Sequence, residues 1–268
     1  MTIIAFVGGG NMAAALIGGL LRSGHPAESI RVVEPDPAQR ERLSSSFGLS
    51  AMARADATLA AADLIVWAVK PQVFHEAAAP LADHVAGALH LSVMAGVRCE
   101  AIVRATGSPR VVRAMPNTPA LIGKGISGLF ARQEVSEAER ARVQALLACT
   151  GESLWVDREE ALDAVTALSG SGPAYVFLFA EALVQAGREM GLTEAQARQL
   201  VLSTFSGAAA LAAADATPLS ELRERVTSKG GTTFAALESM RADGVASAIA
   251  RAAQAAQRRA AELGRSLG

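Results

Sequence analysis

Hydrophobic positions follow two different patterns along the chain, and the change falls near residue 157. In the first part, short apolar runs alternate with stretches of helical periodicity, which is typical of βαβ units and a parallel sheet. The runs that predict strands are Ile3–Val7, Ile30–Val33, Leu64–Val69, Leu89–Met94, Arg110–Ala114, Ile126–Phe130 and Ser153–Val156. The stretches that predict helices are Asn11–Ser23, Ala38–Phe47, Pro71–Ala86, Cys99–Thr106 and one from a capping box at Ser136 to about Cys149.

After about Asp157 the strand pattern stops and only helical periodicity remains. The predicted helices are Glu159–Leu168, Pro173–Met190, Glu194–Ala214, Pro218–Val226, Thr232–Ala242 and Val245–Leu263. Pro173 and Pro218 suit the first helical position, and Thr193 opens a second capping box. We therefore predict an α/β fold in which a Rossmann-like, mostly parallel sheet domain (residues 1–157) is followed by an all-helical domain (residues 158–268).

The Ala-rich helices of the second part predict a partner surface. Leu200, Phe205, Ala209 and Leu211 lie with further alanines on a broad apolar helix, and helices of this kind often associate. We expect a homodimer or a larger homo-oligomer.

Composition narrows the class of protein. The formal net charge of −1 provides no field that would attract nucleic acid. The two cysteines lack a CxxC partner, which favours a reducing, cytoplasmic location. The apolar run Ala174–Ala180 is stopped by Glu181 and is expected to be too short to cross a bilayer, and the apolar start of the chain predicts a strand and not a signal peptide.

A glycine fingerprint follows the first predicted strand and opens a helix. The segment Gly8-Gly9-Gly10-Asn11-Met12-Ala13 fits G-x-G-x-x-A: Gly8 makes the tight turn, Gly10 admits a pyrophosphate and Ala13 lets the helix pack on the strand. The context of strand, glycines and helix predicts a bound dinucleotide.

The second strand ends in an acidic residue. Glu34 stands where a carboxylate would hold the adenosine ribose hydroxyls, and it would repel a 2′-phosphate. This favours NAD over NADP, although Arg31, Arg40 and Arg42 are near enough in sequence to compensate. Lys70 also stands at the end of a strand. It is either a cofactor contact or a solvated charge.

A double glycine stands out in the helical part, within the segment Val226–Thr233, whose sequence is VTSKGGTT. Two adjacent glycines allow a sharp turn, and the following helix directs free N–H groups at the loop, where a carboxylate or phosphate can bind. The alternative is a helix end and a helix start without a ligand, with Thr233 as an N-cap.

No other catalytic pattern is evident. The four histidines (His25, His75, His84, His90) are all assigned to helical or loop stretches of the first part, and none forms a metal-ligand pair. There is no H-x-x-x-H, no Cys/His cluster and no G-x-S-x-G elbow, so hydrolase and zinc-enzyme functions have little support and no metal is expected.

Taken together, the motifs resemble pyrroline-5-carboxylate reductases. GGGNMA, AVKP, RAMPNTPALIG, SGSGPAY and TSKGGTT occur in this order over nearly the whole chain. The resemblance implies NADPH- or NADH-dependent reduction of 1-pyrroline-5-carboxylate to L-proline, the last step of proline biosynthesis. It also implies active sites built at a dimer interface.

The resemblance also implies roles for particular residues. The cofactor phosphates would bind at Gly8, Gly9, Gly10, Asn11, Met12 and Ala13, and the adenosine ribose at Glu34 and Pro35. The cofactor would be lined by Ala68, Val69, Lys70, Pro71, Val93, Met94 and Ala95. The substrate carboxylate would be held by Ser228, Gly230, Gly231, Thr232 and Thr233, with Glu159 near the substrate. Thr233, the candidate catalytic residue, would hydrogen-bond the ring nitrogen.

Two departures and two other functions bear on this assignment. Glu34 replaces the Ser, Thr or Arg of many members, and an Asn that often precedes the AVKP strand is absent around Ala55-Asp56. A β-hydroxyacid dehydrogenase has a similar plan, but Val176 stands where its catalytic Lys would be. A non-catalytic nucleotide-binding protein would need no substrate loop.

Overall fold

A computed structural model describes residues 2–266 of the chain. The chain divides into two compact units. Unit 1 is formed by the residues up to Ser171 together with those from Ala256 onward, and unit 2 is Gly172–Ala255.

Unit 1 is built on one sheet, which has seven strands among residues 2–266. The strands are β1 Ile4–Val7, β2 Ile30–Val33, β3 Leu64–Trp67, β4 Leu89–Ser92, β5 Val111–Met115, β6 Gly125–Ala131 and β7 Gly151–Trp155. Their order is β2-β1-β3-β4-β5-β6-β7, and every neighbouring pair is parallel except β5 and β6. The predicted Rossmann-like, mostly parallel sheet is confirmed.

Helices cover both faces of this sheet. They are α1 Asn11–Arg22, α2 Pro37–Phe47, α3 Phe74–Ala78, α4 Cys99–Thr106, α5 Glu137–Leu147 and α6 Ala161–Val165. Successive β1 side chains enter opposite cores: Ile4 and Phe6 pack in the core that contains Leu16 of α1, and Ala5 and Val7 in the other. Strands β1 and β3 are buried along their whole length and are therefore wholly apolar, as their sequences predict.

The prediction of one continuous helix over Pro71–Ala86 is wrong. The segment instead contains a 3₁₀ turn over Pro71–Val73, the five-residue α3 and a second 3₁₀ turn over Ala79–Leu81. Pro80 explains the interruption, because a proline has no N–H to donate and its ring clashes with the preceding turn.

Helix α6 continues into a π-helix, Thr166–Gly170, and both pack closely within unit 1. A Cβ at Gly128 of β6 would lie 2.6 Å from Val165 Cγ1, and one at Gly170 would lie 2.7 Å from Met115 Cε. These contacts are why the structure divides at Ser171, whereas the sequence pattern placed the boundary at residue 157.

Unit 2 consists of helices. They are α7 Gly172–Glu189, α8 Glu194–Ala214, α9 Leu219–Arg225, α10 Thr232–Ala242 and α11 Val245–Ser266, whose last residues belong to unit 1. The predicted capping box at Thr193 is present. Pro173 is the second residue of α7, and Pro218 immediately precedes α9 as its N-cap residue, each one position from the prediction.

Helix α7, which begins within the SGSGPAY segment, is largely exposed in the single chain. Within α7, Phe177 is 67% exposed and Leu178 is 64% exposed. The helical stretch Ala161–Glu189 has 29 residues and is, by length and composition alone, long and apolar enough to cross a membrane. The apolar stretch is therefore longer than the run Ala174–Ala180 predicts.

His90 lies on β4, contrary to the expectation that all histidines occupy helices or loops. Its side chain is fully buried: Trp67 Nε1 donates to Nδ1 over 3.0 Å, and Nε2 donates to the Val85 carbonyl over 3.0 Å. Both bonds suit the neutral ring. Burial lowers the pKa of His90 to about 4 from its usual 6.5.

We predict that this histidine destabilises the fold in acid. Below pH 6.5 the unfolded chain binds a proton at His90, whereas the ring in the native fold stays neutral until about pH 4. Stability that is present at pH 7 is therefore lost as the pH falls through that window. The His90 contribution between pH 7.5 and pH 5 is about 2 kcal/mol.

Urea unfolding at the two pH values measures this loss. The variant His90→Gln should lose much less stability than the wild type over the same interval, whereas a control, His84→Gln at an exposed position, should behave like the wild type. An equal loss in the wild type and His90→Gln would contradict the assignment.

Candidate active site

The turn between β1 and α1 brings its backbone against the end of β3. Gly8 has φ 99°, and a Cβ there would lie 2.6 Å from the Ala68 carbonyl oxygen. The Gly8 N–H donates to the Val33 carbonyl at the end of β2 over 2.9 Å. Only glycine satisfies both the backbone angle and the close approach.

The start of α1 is open to a ligand. Gly10 is the N-cap residue, no side chain caps the helix, and a Cβ at Gly10 would meet nothing within 4 Å. Ala13 is fully buried, which allows α1 to lie close to the sheet. Orphan N–H groups, the positive end of the helix dipole and free space beside Gly10 together fit a pyrophosphate.

The strand order places this turn at a topological switch point. The chain moves from β1 to β2 on one side and then crosses to β3 on the other, and ligands of open α/β sheets bind in the crevice at such a point. The Ala68 N–H donates to the Val7 carbonyl and the Val93 N–H to the Trp67 carbonyl. The predicted segments Ala68–Pro71 and Val93–Ala95 thus follow neighbouring strands at the same sheet edge as the glycines, with Lys70 exposed.

Glu34 turns toward the glycine turn. Its Oε2 accepts the Gly9 N–H over 2.8 Å, and its Oε1 accepts the Asp36 N–H over 2.9 Å. Gln39, which was not predicted as a site residue, donates from its side-chain amide to the Gly9 carbonyl over 2.5 Å. Its position in the first turn of α2, the helix after β2, is the feature of the sequence that could have indicated this contact.

Glu159 has partners that the sequence did not predict. Its Oε1 accepts from Arg113 Nη1 over 2.8 Å and from the Cys99 N–H over 2.7 Å. The Arg113 side chain is only 4% exposed, so this is a nearly buried ion pair whose separation would leave an uncompensated charge. These contacts support a structural role, and a substrate contact of Glu159 stays a prediction.

Burial and the neighbouring Glu159 charge raise the pKa of the Cys99 thiol far above its ordinary value. Cys99 is therefore a buried neutral thiol and not a nucleophile.

The double glycine of unit 2 forms a tight turn before α10. The Gly231 N–H donates to the Ser228 carbonyl over 3.0 Å, with Gly230 at φ 72°. A Cβ at Gly231 would lie 2.5 Å from Ser228 Oγ, so a side chain there would displace the serine. No side chain caps α10, which argues against Thr233 as an N-cap and leaves N–H groups of its first turn for an anion.

The π-helix Thr166–Gly170 was also missed. Its Gly170 faces Met115, at the carboxyl end of β5, and π-helices occur frequently at functional sites. Periodicity cannot reveal one extra residue in a turn. The neighbouring Asn117 Oδ1 accepts the Ile126 N–H over 3.0 Å and fixes the loop between β5 and β6.

Among the residues that the structure describes, no group of three or more His, Cys, Asp or Glu side chains is arranged to hold a metal ion.

Known proteins align with both parts of the chain. A model described as pyrroline-5-carboxylate reductase dimerisation matches residues 159–263, and one described as NADP oxidoreductase coenzyme F420-dependent matches residues 3–96. The pyrroline-5-carboxylate reductase of Pseudomonas aeruginosa is 44% identical over 99% of this chain and 98% of its own length. The chain belongs to the pyrroline-5-carboxylate reductase family.

Solved structures of this family share the fold. The Coxiella burnetii pyrroline-5-carboxylate reductase superposes with a TM-score of 0.90 at 34% identity, covering 98% of both chains. The Plasmodium falciparum pyrroline carboxylate reductase, solved with NADP bound, superposes with a TM-score of 0.87 at 27% identity, again over 98% of both chains. The match to the dimerisation model supports a homo-oligomer, in which the exposed apolar residues of unit 2 would be covered by another subunit.

The open space beside Gly10 leads to a test of the dinucleotide site. Gly10→Ala should fold normally, because φ −67° suits alanine and its Cβ would touch no protein atom. It should nevertheless weaken cofactor binding at least tenfold, because the methyl group occupies the space required for the pyrophosphate.

The measurement is a fluorescence titration of the reduced dinucleotide together with thermal unfolding. Gly24→Ala is unsuitable as a control because Gly24 has φ 84°, whereas Ser45→Ala on the exposed face of α2 changes no predicted contact with the cofactor. Gly10→Ala binding with wild-type affinity would exclude this turn as the phosphate site.

Proposed function

We propose that this chain is a pyrroline-5-carboxylate reductase, which transfers a hydride from NADPH or NADH to the imine carbon of 1-pyrroline-5-carboxylate and yields L-proline. The observation that carries the proposal is full-length similarity to reductases of this name at up to 44% identity. The starts of α1 and α10 support it, since each follows a glycine turn, has no side-chain cap and can bind one of the two anionic reactants.

The chemistry required of the protein is modest. When bound, the reduced nicotinamide supplies the hydride. A protonated cyclic imine is already a good hydride acceptor, so the residues need to bind, orient and exclude water. Gly8–Ala13 hold the pyrophosphate, Glu34 and Pro35 border the adenosine ribose, and Ala68–Pro71 with Val93–Ala95 line the cofactor. Orientation alone can lower a barrier by roughly 7–11 kcal/mol in ideal cases.

The turn Ser228–Gly231 and the start of α10 hold the substrate carboxylate. The N–H groups of Gly231, Thr232 and Thr233 lie at the positive end of an 11-residue helix, where a carboxylate is favoured. The Gly231 N–H already donates within the turn, so Thr232 and Thr233 are the stronger donors to the ligand. The hydroxyl of the half-buried Thr233 forms a hydrogen bond with the ring nitrogen of the substrate and fixes which face of the imine is presented to the cofactor.

A β-hydroxyacid dehydrogenase is the weaker candidate. Such an enzyme needs a base to oxidise an alcohol, and the chain has only three lysines (Lys70, Lys124, Lys229), none of which lies on α7. A non-catalytic nucleotide-binding protein would have no need of the Gly230–Gly231 turn before α10.

The kinetic test uses purified protein with pyrroline-5-carboxylate and either NADH or NADPH. We expect steady cofactor oxidation, and no cofactor reduction with 3-hydroxy acids. Thr233→Ala should lower kcat/KM at least tenfold, since a bond to the reacting ring is lost. Ser239→Ala, which removes a hydroxyl from an exposed position of the same helix, should have no effect. An unchanged kcat/KM in Thr233→Ala would exclude Thr233 from this role.

The helical unit forms the interface of at least a homodimer. Phe177, Leu178 and Leu183 of α7 are each about half exposed or more, as are Leu200 and Leu211 of α8. Exposed apolar surface of this extent is rare on a soluble monomer and marks an interaction surface. A second copy is the partner because the dimerisation model covers these helices.

Light scattering at micromolar concentration tests this assembly without detergent. A mass of two or more chains is expected, and Leu178→Glu together with Leu200→Glu should shift the population toward smaller species. A monomer at all concentrations, or protein recovered only with membranes, would contradict the proposal. The location proposed is the cytoplasm, with substrate and cofactor as the small-molecule partners.

A further inference from the structure

The acidic end of β2 bears on which reduced dinucleotide binds, and this inference rests on the proposed function. Glu34 follows β2 directly, beside the β1–α1 turn at the switch point of the sheet. In dinucleotide-binding sheets, this position contacts the 2′-position of the adenosine ribose.

The Glu34 side chain is held in one orientation. Each carboxylate oxygen accepts one backbone N–H, from Gly9 over 2.8 Å and from Asp36 over 2.9 Å. A carboxylate has about four acceptor positions, so two remain for the two ribose hydroxyls. The orientation exists before the ligand arrives, which reduces the entropic cost of binding.

Gly9 has a specific part in this arrangement. The fingerprint requires glycine at positions 8 and 10, whereas position 9 is unrestricted. A Cβ at Gly9 would lie 3.2 Å from Glu34 Cβ and 2.7 Å from Leu43 Cδ1. The glycine therefore makes room for the Glu34 side chain to lie across the turn.

The negative charge of the Glu34 carboxylate is not neutralised by a neighbouring cation among the described residues. Among residues 2–266, no Lys, Arg or His nitrogen lies within ion-pair distance of the Glu34 carboxylate. Arg40 donates to the Glu34 and Pro35 carbonyl oxygens, over 3.0 and 2.7 Å, and Arg31 donates to the Thr58 carbonyl. Asp36 adds a second carboxylate, which accepts the Ala38 N–H at the start of α2.

We propose that Glu34, positioned by Gly9, makes this chain selective for NADH and against NADPH. The carboxylate accepts hydrogen bonds from the 2′- and 3′-hydroxyls of the unphosphorylated ribose. A 2′-phosphate would place a second negative group against it and remove one of the two hydroxyl donors, and like charges brought together at an interface are strongly unfavourable. The selectivity is opposite to that suggested by the NADP in the Plasmodium falciparum structure.

The test is the dissociation constant of each reduced dinucleotide, measured by nicotinamide fluorescence without substrate. The wild type should bind NADH at least tenfold more tightly than NADPH. Glu34→Gln keeps the size and one acceptor oxygen but removes the charge, and it should shift the ratio of the two constants at least tenfold toward NADPH. Glu34→Ser, which leaves space for a phosphate, should shift the ratio as far or further.

Glu41→Gln is the matched control, because it removes the same charge from an exposed position of α2. Its ratio should equal that of the wild type. Wild-type preference for NADPH, equal constants for the two dinucleotides, or an unchanged ratio in both Glu34 variants would overturn the proposal. The binding measurement contains no substrate. A failure of the protein to reduce pyrroline-5-carboxylate would therefore refute the proposed function without changing the result on dinucleotide selectivity.

Discussion

Backbone N–H groups at the starts of two helices are the interaction on which the functional account depends. The first helix, α1, begins at a glycine with no side-chain cap, and α10 begins in the same way in the other unit. An uncapped helix start costs stability unless water or a ligand satisfies it. In both places glycine supplies the conformation that exposes these groups, with Gly8 at φ 99° and Gly230 at φ 72°.

Anion binding through the backbone explains the lack of other catalytic groups. Within unit 1, His90 forms hydrogen bonds with Trp67 and Val85, and Glu159 forms an ion pair with Arg113. The lowered pKa of His90 leaves its ring neutral at pH 7. A reaction in which the cofactor supplies the hydride and the substrate is already electrophilic suits a protein that contributes mainly orientation.

The periodicity of the chain was sufficient to predict the sheet and the glycine turn, because both depend on local sequence. The seven strands were located to within two residues at each end. Pro71–Ala86 has a helical apolar pattern but does not form one helix, because Pro80 interrupts it. The π-helix and the boundary at Ser171 could not be predicted, since they follow from packing between distant segments such as Gly128 and Val165.

The candidate site shows the same division between local and distant information. The residues at the carboxyl ends of β1 and β3 were predicted from motifs, and those that follow β4 from the family resemblance. All of them lie at one sheet edge. Glu159 was carried over from the family resemblance, and its contacts with Arg113 and Cys99 arise from chain segments about fifty residues apart or more. The exposed apolar side chains of α7 agree with the partner surface predicted for the second part of the chain, which the dimerisation model also covers.

A structure of the protein crystallised with reduced dinucleotide and L-proline would show where the substrate carboxylate binds. The proline carboxylate oxygens should lie about 2.7–3.2 Å from the backbone nitrogens of Thr232 and Thr233. A carboxylate bound away from the Gly230–Gly231 turn, with that turn in contact only with solvent, would contradict this prediction.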